Sequence, residues 1–308
     1  GICGSKEIIS MKVGYPCINW TIGCKGNRTF RLKSYSEQRL IDTLNNNLNC
    51  LAKMLRFNVD HNLLFFRITS DLVPFASHPV CQFDWRRYFK DQLSSIGAFI
   101  RGNNIRISMH PGQYTLLNSH DGGILARSIK ELQYHADVLD SLDLDTSAKI
   151  QIHIGGVYGD KNNSVKRFIE RYYNLDEVLK RRLVIKNDDR SYTIDDCITI
   201  YRETVVPILS DAFHHELNHS RPSIIDALAY ISRTWQYQDG IPMIDYSYRQ
   251  NSKLKVNHAE SIDISHFKRF IVETQPYDFD IMLEIKDKEM SALKAVEIAR
   301  KDKRFFDR

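Results

Sequence analysis

The sequence predicts a single (β/α)8 (TIM) barrel with its functional site at the C-terminal ends of the strands. Eight apolar runs of strand length alternate with longer helical patterns, which is the count of such a barrel. Nearly every run ends on or next to a residue that could bind a metal ion: His110, His153, Asp211, Asp245 and Glu284. Parallel strands that alternate with helices point their C-terminal ends the same way, so these side chains would converge at one mouth of the barrel.

The predicted strands are mostly apolar throughout, as expected of strands that are covered on both faces. In chain order they are residues 12–15, 63–70, 105–110, 149–154, 182–187, 207–211, 242–246 and 280–285. Apolar residues at helical spacing predict helices between them at residues 36–57, 84–99, 124–142, 165–181, 193–203, 222–235 and 290–305. The polar stretch 250–260 is predicted to be a long loop on the face where such loops carry function.

Length and composition favour one globular domain. The chain has 308 residues, 43% of them hydrophobic, and no repeat, low-complexity tract or linker interrupts the series. Residues 11–308 are therefore predicted to form the barrel, and residues 1–10, which precede a methionine, to be a leader added for expression. The net charge of +5 and the isoelectric point of about 8.8 suit a polyanionic partner without requiring one.

The cysteines and the apolar runs indicate the compartment. The six cysteines form no CxxC pair and are expected to be reduced, mostly buried thiols. No apolar run approaches the roughly 20 residues of a membrane span, and no signal-peptide pattern is present. We therefore expect a soluble, monomeric, intracellular protein of the cytoplasm, nucleoid or nucleus, neither secreted nor bound to a membrane.

The strand-end residues favour a metal site when they are taken together. A lone histidine is more often a packed or surface group than a ligand. Here five histidines accompany three carboxylates at strand ends or in the following loops: His78, His110, His153, His214 and His258 with Asp211, Asp245 and Glu284. Imidazole with carboxylate suits zinc, manganese or iron. Clusters of such ions activate a water and clamp both sides of a phosphodiester, although sugar isomerases of the same fold use similar ligands.

Seven motifs carry a more specific signal. They are Gly14-Tyr15-Pro16-Cys17-x-Asn19, RITSDLVPFASH from Arg67 to His78, His110-Pro-Gly-Gln113-Tyr114, Ile152-His153-Ile-Gly-Gly156, Asn187-Asp188-Asp189, Asp211-x-x-His214-His215 and Leu283-Glu284-Ile-Lys-Asp-Lys288. In this order they resemble the ultraviolet-damage endonuclease (UV DNA damage endonuclease) family, which is related to endonuclease IV. The resemblance covers nearly the whole predicted barrel.

The resemblance implies a DNA repair enzyme with up to three divalent ions, manganese by preference and Mg²⁺ or Zn²⁺ as alternatives. The family nicks double-stranded DNA on the 5′ side of a pyrimidine photoproduct and leaves a 3′-hydroxyl. It implies three ligand pairs: His110 with His153, Asp211 with Glu284, and His214 with His258. It also places His78 in the catalytic site, as a further ligand or as a phosphate contact.

Four residues are implied in lesion recognition. Gln113 and Tyr114 follow a Pro-Gly turn and match the pair that the family wedges into the duplex where the lesion is extruded. Tyr15 and Asn19, at the end of the first strand, match residues near the flipped photoproduct. Without the motif, Tyr114 would be interpreted as a half-buried aromatic at the rim.

Two positions depart from the family. Asp245 stands where the family usually has the histidine of a Lys-x-His motif, and it can still bind a hard divalent ion; Met243 replaces the lysine. Lys186 replaces a glutamate that bridges two metals. Lys186 could be carboxylated by CO2 and so recreate a catalytic bridging ligand, or it could occupy a metal position, or it could mark an inactivated variant. The last possibility would leave a photolesion-binding protein that does not cut.

Overall fold

The computed structural model describes residues 11–218, 223–248 and 258–308. In them, eight parallel strands close into a barrel in which each strand pairs with the next and the eighth pairs with the first. The strands are β1 Val13–Pro16, β2 Phe65–Ile68, β3 Arg106–Met109, β4 Lys149–His153, β5 Leu183–Lys186, β6 Ile208–Asp211, β7 Met243–Tyr246 and β8 Asp280–Leu283. The predicted barrel is confirmed, and every predicted strand overlaps an observed one.

Helices follow the strands along the chain. They are α1 Glu37–Asp60, α2 Trp85–Tyr88, α3 Lys90–Gly102, α4 Gly122–Ser141, α5 Lys161–Tyr173, α6 Glu177–Lys180, α7 Ile194–Thr204, α8 Ala212–Leu217, α9 Ile224–Ile231, α10 Ile264–Glu273 and α11 Glu289–Ala299. Polar side chains cap several of these helices; at the start of α1, the Ser36 side chain accepts a hydrogen bond from Arg39 N. Within the described ranges, no helix is long and apolar enough to cross a lipid bilayer.

The helix boundaries differ from the prediction in several places. The helix predicted at 84–99 is two helices, α2 and α3, that meet at Phe89. The helix predicted at 165–181 is α5 and α6, and the last predicted helix ends at Ala299. Helices α8 and α10 are absent from the prediction. The signal for α10 is nonetheless present, because Asp263 caps its start and Phe267, Phe270 and Ile271 lie buried at helical spacing.

Two predicted segments fall largely outside the described residues. The predicted leader, residues 1–10, lies outside them entirely. So does most of the predicted loop 250–260, of which only the last three residues are described.

Buried ion pairs hold the N-terminal end of the barrel. Lys149 Nζ lies 2.5 Å from Asp239 Oδ1, and Arg106 Nη1 lies 3.3 Å from Asp280 Oδ2. These charges leave water together with their partners, which is the condition under which a buried charge is tolerated. The ligand candidates lie at the opposite end.

A disulfide joins the segment after β1 to α1. Cys24 and Cys50 are bonded, so the expectation that all cysteines are reduced is wrong for this pair. Neither the cysteine spacing nor the usual compartment rule points to this bond, because the two cysteines are 26 residues apart and come together only when the segment folds back on α1. In the described part of the chain, Cys17, Cys81 and Cys197 are free thiols.

We expect the Cys24→Ser, Cys50→Ser double variant to lose about 3 kcal/mol of unfolding free energy, because the bond restricts the unfolded chain. Urea unfolding without reductant measures this loss, and Cys81→Ser is the control that removes a free thiol. A midpoint equal to that of the parent protein would show that the bond does not stabilise the fold.

Candidate active site

The closed barrel brings three carboxylates together at the C-terminal strand ends. Asp211 and Asp245 are register partners on β6 and β7, and Glu284 directly follows β8. One ligand oxygen from each residue lies within 4.8 Å of the others. Asp211 and Asp245 are buried, and the Glu284 side chain is 11% exposed. The sequence prediction that these strand ends converge is therefore met.

Two buried cations neutralise most of this charge. Lys186 Nζ lies 2.9 Å from Asp211 Oδ2 and 2.8 Å from Asp245 Oδ2. Arg67 Nη2 lies 2.5 Å from Asp245 Oδ1, and its Nη1 pairs with Glu284. Three carboxylates against two cations leave one net negative charge among these five side chains.

The carboxylates keep Lys186 protonated. Burial alone would lower the pKa of Lys186, but Asp211, Asp245 and Glu284 together raise it above its ordinary value. Carboxylation requires the neutral amine, whereas these surroundings favour the ammonium. For the Glu284 carboxyl, burial alone would raise the pKa. The charges of Lys186 and Arg67 outweigh burial and hold this pKa well below its usual range.

Arg67 and Gln151 are site residues to which sequence reasoning assigns no role. The Gln151 side chain accepts a hydrogen bond from Arg67 Nη2 at 2.9 Å and donates one to Asp245 Oδ2 at 2.7 Å. Both residues are buried inside the barrel. A polar side chain within an apolar strand is a signal that could have found them, since such a residue must have a partner.

Four histidines line a cavity of about 340 Å³ with Glu284 and Lys186. The ring centroids of His110 and His153 are 5.2 Å apart, those of His153 and His214 are 6.3 Å apart, and those of His214 and His258 are 6.1 Å apart. His110 Nδ1 lies 2.9 Å from the carbonyl oxygen of Gln151. A bond from Nδ1–H to this carbonyl would leave Nε2 free to bind an ion, as in many metal sites.

This donor set fits a divalent metal. Burial and the Lys186 charge lower the pKa of His153 to about 3, and burial lowers that of His110 well below its usual range. Both imidazoles are therefore neutral at pH 7 and keep a lone pair. His153 Nδ1 is buried and has no hydrogen-bond partner among the described residues. Neutral imidazoles beside a carboxylate triad could hold such an ion.

His78 lies apart from these ligands. Its exposed side chain lines a separate groove of about 740 Å³ with Gly112 and Tyr114, and its Nδ1 accepts a hydrogen bond from Val80 N at 3.1 Å. The expectation that His78 joins the metal ligands is not met in this structure. That His78 contacts a phosphate stays a prediction.

Gln113 and Tyr114 form an exposed tip on a fixed base. The Tyr114 side chain is 81% exposed, and Gln113 beside it is exposed as well. Thr115 N donates to Gly112 O at 3.0 Å, and Leu116 N donates to Ser128 Oγ at 2.8 Å, which anchors the turn to α4. Tyr114 is therefore not the half-buried rim aromatic of the alternative interpretation.

Tyr15 and Asn19 are buried below the surface of the site. The Tyr15 hydroxyl donates to Asn58 Oδ1 at 2.7 Å and accepts from Asn19 Nδ2 at 2.9 Å. Asn19 Oδ1 accepts hydrogen bonds from the backbone N–H groups of Thr21 and Ile22. In this structure they shape the loop after β1, and neither presents a surface on which a base could stack.

Proteins similar to this chain in sequence and in structure are UV DNA damage endonucleases. Residues 11–304 match the family model described as UV-endonuclease UvdE. The UV DNA damage endonuclease of Clostridium perfringens (strain 13 / Type A) is 38% identical over 288 residues, which are 93% of this chain and 70% of that protein. The crystal structure of SacUVDE superposes with a TM-score of 0.91 at 43% identity, over 94% of this chain and 98% of that one.

More distant structures share the fold alone. Endonuclease IV from Thermus thermophilus superposes with a TM-score of 0.55 at 11% identity, over 82% of this chain and 93% of that one. D-psicose 3-epimerase from Clostridium cellulolyticum gives a TM-score of 0.56 at 13% identity, over 95% of this chain and 99% of that one. The two proteins have different activities, so likeness at this level does not separate a nuclease from a sugar enzyme.

Proposed function

The chain belongs to the UV DNA damage endonuclease family, which is a family of enzymes, and on that premise we propose that it nicks double-stranded DNA on the 5′ side of pyrimidine photoproducts with divalent metal ions. The observation that carries the metal requirement is the buried triad of Asp211, Asp245 and Glu284 beside neutral histidines. Manganese is the ion that we propose, with Mg²⁺ or Zn²⁺ as alternatives.

The ligand candidates divide into an imidazole group and a carboxylate group. His110, His153, His214 and His258 would offer nitrogen, and Asp211, Asp245 and Glu284 would offer oxygen. When bound, divalent ions supply an activated water and stabilise charge that develops on the phosphodiester. Arg67 Nη2 donates to Asp245 Oδ1 at 2.5 Å and Gln151 donates to Oδ2 at 2.7 Å, so this carboxylate is oriented before DNA binds.

For Lys186 we propose the second of the three possibilities, in which its ammonium occupies a position between the carboxylates. The distances of 2.8 and 2.9 Å to Asp245 and Asp211 support this, as does the raised pKa. Such a site would hold fewer than three ions. Intact mass measured under mild conditions tests this proposal: the mass of an unmodified chain is expected, and the added mass of one CO2 would establish carboxylation instead.

Nicking of an end-labelled, irradiated duplex tests the proposed function. With added manganese we expect a cut on the 5′ side of the photoproducts, no cut with a chelator, and no cut in an undamaged duplex. Preferential binding without a cut would support the second candidate, a photolesion-binding protein, which the Lys186 ammonium among the carboxylates favours. Absence of any preference for irradiated DNA would refute both candidates. A metal-dependent sugar isomerase would then be the remaining hypothesis.

The proposal extends to the organisation of the protein. We propose that residues 11–308 act as one domain and as a monomer inside the cell, where DNA is available. One barrel supplies all of the ligand candidates named above, which supports a site within a single subunit.

Tyr114→Ala is expected to reduce the preference for irradiated over undamaged duplex about tenfold, since one stacked base contributes about 1–3 kcal/mol. Affinity for undamaged duplex should change much less. Both affinities are measured by fluorescence anisotropy in chelator, with Tyr114→Phe as the variant that keeps the ring. Equal losses on both duplexes would mean that Tyr114 does not probe the lesion.

A further inference from the structure

The segment between β1 and α1 contains basic residues and no acidic ones. From residue 11 to residue 36 the sequence contains no aspartate or glutamate, although the whole chain has 38 in 308 residues. Four cations of this segment, Lys25, Arg28, Arg31 and Lys33, are exposed. Within the described ranges none of them is in an ion pair, so their charge is available to a partner.

An exposed tryptophan begins this surface. The Trp20 side chain is 56% exposed, whereas Trp85 and Trp235 are buried. Its indole Nε1 donates to Lys286 O at 3.3 Å, and its backbone N donates to Glu289 Oε1 at 2.8 Å. Glu289 is fully buried and accepts from Thr21 N as well, at 2.9 Å. The backbone below the exposed ring is therefore fixed, and the ring is presented on it.

The rest of the segment is fastened to α1. Asn47, which is fully buried, accepts from Arg28 N at 3.0 Å and donates to Arg28 O at 2.9 Å. The Cys24–Cys50 bond adds a covalent tie a few residues before Arg28. A surface ordered in this way before binding loses little conformational entropy when a partner arrives.

The segment is continuous with the candidate active site. Pro16 and Cys17, at its start, line the cavity of the four histidines, and so do Lys286 and Lys288. The Trp20 indole bonds to the backbone of Lys286, so the exposed ring stands at the rim of that cavity. A polymer that leaves the cavity on this side would pass over Trp20, and the cations follow Trp20 in the chain.

We propose that residues 20–33 form a second DNA-binding surface, on which Trp20 stacks against a nucleobase next to the cleaved phosphodiester and Arg28, Arg31 and Lys33 contact backbone phosphates. The identity of the ligand rests on the proposed function; the surface itself follows from charge and exposure. An isolated exposed aromatic needs no explanation. Trp20 differs because it adjoins the active-site cavity and because exposed cations, with no acidic residue among them, follow it in the chain. Stacking together with phosphate contacts is how single strands are bound.

Tryptophan fluorescence tests the stacking. A short irradiated duplex, in which the damaged bases are the easiest to unpair, is titrated in chelator, so that nicking plays no part. In the parent protein we expect DNA to quench the tryptophan fluorescence. Trp20→Phe should abolish this quenching and keep the affinity, and Trp20→Ala should raise the Kd about tenfold. Tyr237→Ala removes another fully exposed aromatic, which precedes β7 at the N-terminal end of the barrel, and is the matched control. If the Trp20 variants kept the quenching and the affinity of the parent protein, the stacking would be refuted.

Salt dependence tests the phosphate contacts. Each neutralised phosphate contributes about 0.9 to the slope of log K against log salt. We expect the triple variant Arg28→Gln, Arg31→Gln, Lys33→Gln to lower this slope by roughly two to three. The control triple Lys294→Gln, Lys301→Gln, Lys303→Gln removes three exposed charges from α11 and the segment after it. Equal slopes in the two triple variants would refute the surface, whether or not the protein nicks irradiated DNA. A smaller slope in the Arg28, Arg31, Lys33 variant than in the control would support the surface, again independently of nicking.

Discussion

Glu284→Gln is expected to slow nicking of irradiated duplex about a thousandfold, while binding of the duplex stays nearly unchanged. Glu284 is ionised, because Lys186 and Arg67 hold its pKa well below the usual range, and it belongs to the only carboxylate triad found in the described ranges. Glutamine keeps the shape but removes the charge that a divalent ion needs. Loss of several kcal/mol of metal-derived stabilisation is equivalent to about three powers of ten in rate.

The measurement is a single-turnover nicking rate with saturating manganese, beside anisotropy binding in chelator. Glu297→Gln is the matched control, because Glu297 is an exposed carboxylate on α11. Far-ultraviolet circular dichroism confirms that both variants fold. A Glu284→Gln protein that cuts at the parent rate would remove this residue from the metal site.

Lys186→Met is expected to lower the unfolding free energy of the metal-free protein by about 3–5 kcal/mol. Methionine has nearly the same length, but it leaves buried Asp211 without its lysine counter-charge and leaves Arg67 as the remaining cation beside Asp245. A divalent ion can replace the missing cation. Manganese should therefore raise the Tm of Lys186→Met more than that of the parent protein, since an ion that binds the folded state stabilises it.

Chelator-treated and manganese-loaded samples are compared by urea and thermal unfolding. Lys180→Met is the control, because Lys180 pairs at 3.0 Å with Glu177, whose side chain is 69% exposed. Such a surface pair contributes about 0–1 kcal/mol. If Lys186→Met were as stable as Lys180→Met without metal, Lys186 would not be the counter-charge of the triad.

The sequence was sufficient for the barrel because its strands are mostly apolar runs that stand out from the amphipathic helices between them. It was also sufficient for the convergence of His110, His153, Asp211 and Glu284, because all parallel strands of a barrel end at the same mouth. The motifs added the exposed turn of Gln113 and Tyr114.

The remaining features depend on contacts across the barrel that no local pattern contains. Arg67 meets Asp245 over a separation of 178 residues, and Gln151 joins them from a third strand. Tyr15 and Asn19 have the right types for base recognition, but both are buried: Tyr15 donates to Asn58 on α1, and Asn19 donates to Tyr15. His78 belongs to the same family motif as Arg67, yet the turn after β2 carries it to another groove.

The Cys24–Cys50 bond makes the proposed second DNA-binding surface sensitive to the redox state of the solution. Glutathione and thioredoxin oppose such bonds in most cells, whereas intracellular proteins of hyperthermophiles keep them. A reductant would release the segment of Trp20 from one of its anchors without touching a metal ligand or a phosphodiester. Substrate affinity in this protein would then vary with redox conditions while the chemistry of strand cleavage stayed the same.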